Sequence, residues 1–286
     1  MSFDIARLAQ SAALRTFTVG AHQCTWLPDG AATLDPRTWL PASTEQTWHE
    51  NPHLLTPDGE LVASIGALLI RHHGRAMLID AGAGPLALPT PHGSMHGGQL
   101  LESLSAAGQT PTDIDLIALT HLHLDHIGWL WTTPPNSTRR PFTHATVLIG
   151  ETEWQQRDLA AADGVASEIL ETFADQIRTF APGTEIFPGV RAIALLGHSI
   201  GHTGYIIGTP TDRLIVFGDA MQTPLQITHP HLTAAIDDAP DLTQITAARL
   251  LTELQRPGTR GFGAHFADAQ LGRVHTVDGT RTWQPQ

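Results

Sequence analysis

Apolar residues run through positions 61–70 and 75–80 on either side of His72-His73-Gly74, a length and content that predict two strands around a turn. The second passes into a glycine-rich loop, Asp80-Ala81-Gly82-Ala83-Gly84. Positions 100–107 repeat at helical spacing and are closed by Gly108, and positions 115–120 form an apolar strand that delivers the chain into His121. A strand is expected over 146–149, followed by mostly helical patterning over 151–180 that breaks near Asp163-Gly164. Further strands at 190–196 and 204–207 flank Gly197-His198-Ser199-Ile200-Gly201-His202. A strand at 214–217 ends in Gly218-Asp219, a helix follows over 242–253, and 261–274 holds a last strand and a loop around His265. Alternating strands and helices predict α/β layers.

Composition narrows the classes. With 286 residues and 41% hydrophobic content the chain can bury a large core, and the absence of a linker, repeat or low-complexity tract favours one domain over 1–286. The 16 cations are all arginine against 28 acidic residues, a net charge of -12, which disfavours a nucleic-acid partner and excludes lysine Schiff-base chemistry. One cysteine, Cys24, excludes an internal disulfide and a cysteine-rich metal site. Charged residues interrupt the first twenty positions and no segment is apolar enough for a bilayer, so a cytoplasmic protein with no membrane partner is expected.

The chemistry concentrates in His121-Leu122-His123-Leu124-Asp125-His126. Side chains two apart on extended backbone point the same way, so His121 and His123 can address one point while Asp125 and His126 follow as the chain turns. A histidine-rich chain also makes surface clusters by chance, as at His72-His73 or His229 and His231, which are assigned to loops. Placement at a strand end with interleaved leucines favours a metal site for 121–126. Trp129 and Trp131 either line an apolar pocket or pack beneath this segment.

These residues, with Asp80, Gly197-His198, Gly218-Asp219 and Ala264-His265 in that order, resemble the motif set of the metallo-β-lactamase-fold hydrolases across about 61–274. Gly218-Asp219-Ala220, Gly263-Ala264-His265-Phe266 and Gly272-Arg273-Val274 are most similar to the branch of methyl parathion hydrolase and the N-acyl homoserine lactonases. The resemblance implies an αββα sandwich and two zinc ions per chain. One would be held by His121, His123 and His198, the other by Asp125, His126 and His265, with Asp219 bridging. Asp80 would accept a ligand histidine's N–H. His202 competes with His198, His265 would also fit as a packed core residue between Phe262 and Phe266, and Asp219 as a helix cap.

The activity so implied is attack of a metal-bound hydroxide, oriented by Asp125, on a small ester, lactone or related acyl substrate. Phosphotriester or thioester hydrolysis on the same site is the alternative, and a one-iron sulfur dioxygenase a further one. The sequence departs from many lactonases in carrying Gln222 three residues after the bridging aspartate, where they have a tyrosine; glutamine can donate a hydrogen bond to substrate but cannot act as an acid. The expected partner is a small molecule, and a homodimer is what the resemblance carries for oligomeric state.

Overall fold

The computed structural model describes residues 3–286. Its strands are β1 (Arg15–Val19), β2 (His22–Leu34), β3 (Leu61–His72), β4 (Arg75–Ile79), β5 (Ala87–Thr90), β6 (Gly93–His96), β7 (Leu116–Ala118), β8 (Thr146–Gly150) and β9 (Ile177–Phe180) in one sheet. A second sheet holds β10 (Glu185–Phe187), β11 (Val190–Ala194), β12 (Thr203–Thr209), β13 (Asp212–Val216), β14 (Thr259–Phe262), β15 (Leu271–Val277) and β16 (Thr280–Pro285) in sequence order. The first sheet runs β5-β6-β2-β3-β4-β7-β8-β9, with β1 paired to the start of β2 and β6 to its end. The helices are α1 (Pro36–Trp39), α2 (Glu45–Glu50), α3 (Leu100–Ala106), α4 (Leu124–Trp131), α5 (Glu151–Gln155), α6 (Ser167–Glu171), α7 (Leu225–Thr228) and α8 (Pro240–Leu254).

The period of two in the strands makes the layers. In β3 and β4, Leu68, Ile70, Met77 and Ile79 enter a core between the sheets, where they meet Val190, Tyr205, Leu214 and Val216 of the second sheet. Their neighbours Leu69 and Leu78 face the other way, into a cluster with Leu100 and Leu104 of α3 and Ile127 and Trp129 of α4. On the far side Ile215 packs with Leu250, Leu251 and Leu254 of α8. Helix, sheet, sheet and helix are thus stacked as an αββα sandwich, each buried aliphatic side chain stabilising it by about 1.5–3 kcal/mol.

Two expectations change. Residues 177–180 are strand β9, not the end of a helical run: Val147↔Ile177 and Gly150↔Phe180 pair it in parallel with β8, and the ladder outweighs local helical spacing. The stretch 261–274 contains two strands, β14 and β15, with His265 in the loop between, and β16 follows. The β1–β2 and β5–β6 hairpins have no counterpart in the sequence reading.

Candidate metal centre

Chain ends meet at one edge of the sandwich. The parallel strands β4 and β7, and the parallel pair β13 and β14, all end there, the place where open α/β sheets bind ligands. From β4 the chain passes into Asp80, from β7 into His121, His123 and α4, from β13 into Asp219, and from β14 into His265; the turn between β11 and β12 adds His198 and His202. Gly218 has φ +49°, and a Cβ on it would lie 2.7 Å from His202 Nε2, so only glycine lets the chain turn Asp219 into the centre.

Every candidate metal ligand from the sequence reading lies in this cluster. Donor atoms of His121, His123 and His198 lie within 4.8 Å of one another, as do those of Asp125, His126 and His265. Asp219 reaches both sets: Oδ2 is 2.9 Å from His265 Nε2 and 3.4 Å from His198 Nε2, and Oδ1 is 3.2 Å from His126 Nε2. His202 also falls within reach of His121 and Asp219, but its Nε2 accepts the Asp219 amide at 3.0 Å, whereas His198 presents Nε2 beside His123 Nδ1 at 3.1 Å.

The outer nitrogen of each imidazole is held. Thr120 Oγ1 sits 3.0 Å from His121 Nδ1, Asp80 Oδ2 2.9 Å from His126 Nδ1, Asp237 Oδ1 2.7 Å from His198 Nδ1, and the Ser64 carbonyl 2.8 Å from His265 Nδ1. His123 is reversed, with Nε2 3.3 Å from Asp163 Oδ2 and Nδ1 facing inward. Such partners fix the tautomer that leaves a lone pair pointing at the centre. There, His121 Nε2, His126 Nε2 and Asp219 Oδ1 are buried without a hydrogen-bond partner. An unsatisfied buried polar atom costs about 1–3 kcal/mol, and three such atoms in one histidine and carboxylate cluster fit divalent-metal binding, for which imidazole and carboxylate are suitable ligands.

Burial holds His121 well below the usual imidazole range, with His126 and His123 pushing the same way, so its lone pair is free. It also lowers His202 to about 3, assisted by His198. Burial alone would raise the Asp219 carboxyl, but His265, His126 and His121 hold it well below the carboxylate range. For His126 burial again opposes charge, yet Asp125, Asp219 and Asp80 raise it well above an ordinary histidine.

Several supporting residues escaped the sequence reading. Asp29, fully buried on β2, accepts the backbone N–H groups of Ala83, Gly84, Gly98 and Leu100 and the indole N–H of Trp129, at 2.7–3.0 Å. Glu153 on α5 joins two ligand-bearing loops, accepting from the Leu122 amide, the Ser199 hydroxyl and the Gly201 amide. Both are long-range contacts with no local signature. Trp129 is 1% exposed in the core beneath the loop, and Trp131 packs against the same cluster; neither lines the cavity. Gln222 lines it, but its amide donates to Asp219, to Oδ2 at 3.0 Å and to the carbonyl at 3.3 Å, so the side chain holds the carboxylate instead of presenting a free donor.

A cavity of about 410 Å³ opens over the centre. His123, Asp125, Asp219, Gln222 and His265 form its floor, and its walls are mainly apolar, from Leu34, Trp39, Ile236 and the β5–β6 hairpin with Leu88 and Met95.

A histidine and carboxylate centre at one edge of an αββα sandwich defines a class of metalloprotein. The chain belongs to the metallo-beta-lactamase superfamily, whose family description matches residues 65–265, a stretch that contains all seven candidate ligands. A curated relative, metallo-beta-lactamase domain-containing protein 1 of Xenopus laevis, is 28% identical over 160 residues, 55% of this chain and 58% of the relative's length. Among solved structures, AidC, a dizinc quorum-quenching lactonase, superposes with a TM-score of 0.81 at 20% identity, covering 96% of this chain and 98% of its own. The hydrolase AbOPH gives 0.80 at 24% identity over 97% and 98%. At these identities the likeness is one of fold. No helix among the described residues is long and apolar enough to cross a membrane.

Proposed function

We propose that the protein is a hydrolase that binds two zinc ions and cleaves small, uncharged esters, lactones or related acyl compounds. The observation that carries this reading is the pair of three-residue donor sets sharing Asp219 on the floor of an apolar cavity. His121, His123 and His198 would hold one ion, Asp125, His126 and His265 the other, and Asp219 would lie between. Ions so held would acidify water to a nucleophile at neutral pH and polarise the scissile carbonyl.

The chain's own residues supply the rest. Asp125, its side chain one-fifth exposed at the cavity floor, is placed to accept the nucleophile's proton. Gln222 fixes one oxygen of Asp219. The apolar walls take an acyl or aryl group and exclude water. Among the described residues no arginine lines the cavity, whereas Asp125 and Asp163 do, which favours uncharged substrates over anionic ones. The similarity to a dizinc lactonase supports the same reading.

Elemental analysis after zinc reconstitution, with a hydrolysis screen over lactones, aryl esters, thioesters, β-lactams and phosphotriesters, tests it. Two zinc per chain and turnover of esters or lactones above β-lactams are expected. Fewer than two zinc, or tightly held iron with no hydrolysis, overturns it.

A further inference from the structure

His265 is set by an arrangement that lies largely outside the stretch shared with the family. Its Nδ1–H donates to the carbonyl of Ser64, a residue 1% exposed. The Ser64 hydroxyl in turn accepts the Ala12 amide at 2.8 Å and donates to the Ala267 carbonyl at 3.0 Å. Ala267 has φ +47°, a left-handed conformation that costs a non-glycine residue roughly 1–2 kcal/mol and persists only when its surroundings impose it.

The next residue supplies the imposition. Asp268, 6% exposed, takes Arg7 Nε at 2.8 Å, Arg15 Nε at 3.1 Å and the Ala13 amide at 3.2 Å on its carboxylate, which Arg15 Nη2 also reaches. Its carbonyl accepts from Arg7 Nη2 at 2.6 Å, and its amide donates to the Arg7 carbonyl at 3.1 Å. Residues 7–15 are thereby tied to Asp268 in the turn that follows His265 and, through Ala12, to Ser64, which holds the imidazole. Neither arginine nor Asp268 lines the cavity over the centre, so none has a direct part in substrate binding.

We propose that this N-terminal segment, acting through Arg7, Arg15 and Asp268, is a positioning device for His265, and that occupancy of the metal position built from Asp125, His126 and His265 depends on it. The inference rests on the two-zinc reading. Binding would be affected at one position only, because His121, His123 and His198 lie on other loops with other partners.

The test uses the full chain, wild type and Asp268→Asn, with Arg15→Gln as the milder variant should the first not fold; the Arg15 side chain is 43% exposed. Zinc affinities are read by chelator competition. In the variant one step stays within about threefold of wild type, while the other falls about 10–100-fold, the usual effect of removing support behind a ligand. Imidazole proton spectra of the metal-free protein give a second readout: the His265 Nδ1–H, donated to the Ser64 carbonyl, exchanges slowly with solvent in wild type and faster in the variant, the other centre histidines being unchanged. A folded variant with both affinities and the His265 spectrum as in wild type overturns the inference, as does equal weakening of both steps. Wild type binding fewer than two zinc sinks the two-zinc reading instead, and the spectra still decide whether the segment positions His265.

Discussion

Asp80→Asn separates the support of a ligand from the ligand itself. Asp80 has φ +63°, a conformation asparagine also tolerates, so the substitution adds little backbone strain. Oδ1 accepts the Thr120 amide at 2.8 Å and can do so in either residue. Oδ2 accepts His126 Nδ1–H at 2.9 Å, and an amide group there sets donor against donor. His126 then rotates away or moves its proton to Nε2, the atom whose lone pair faces the centre. Losing such a carboxylate behind a ligating histidine costs 10–100-fold in metal affinity, about 1.4–2.7 kcal/mol. The loss falls on the position that includes His126, with a smaller effect through Thr120 on His121, whose Nδ1 lies 3.0 Å from the same hydroxyl. Stepwise zinc affinities by chelator competition, with thermal unfolding of the metal-free forms as a control, measure it. A folded Asp80→Asn protein that binds both zinc ions as tightly as wild type refutes the reasoning.

Asp219→Ala is expected to lower zinc content and activity together, while His202→Ala leaves zinc content largely intact; the reverse pattern would exchange His202 for His198 in the ligand set. Zinc uptake near pH 7 should release protons, because His126, raised well above the ordinary range, holds a proton that the metal displaces; stoichiometric uptake without proton release in a weakly buffered titration contradicts this. Burial pushes the Cys24 thiol from 9.0 to about 12, so the native protein should resist a thiol reagent at pH 8 and react on unfolding. Since the unfolded chain loses that proton first, the thiol's contribution to stability is complete below about pH 9 and declines towards pH 12. Aryl esters should outpace matched alkyl esters, because Gln222 offers no proton to a leaving alkoxide; equal rates would point to an acid elsewhere in the cavity.

The run 121–126 was legible because its residues are adjacent and sit at a strand end, whereas His198, Asp219 and His265 were picked out by the order of motifs shared with the family. What holds those residues was not legible. Asp29 and Glu153 act on amides 54 to 71 and 31 to 48 positions away, and an aspartate or glutamate that caps distant backbone looks like any other. Gln222 lines the cavity, but the direction of its amide depends on Asp219 and is not written in spacing. Residues 177–180 carry a helical pattern that tertiary pairing overrides.

Asp29 carries a consequence for how such a protein can change. Its carboxylate grips Ala83 and Gly84 just before the β5–β6 hairpin and Gly98 and Leu100 just after it. Both feet of the hairpin are pinned to one buried atom group, and the wall that meets substrate is the arch between them. Lengthening or replacing residues 86–96 would therefore remodel the mouth of the cavity while the loop beneath keeps its shape, so that selectivity can drift under selection without the metal floor being rebuilt each time.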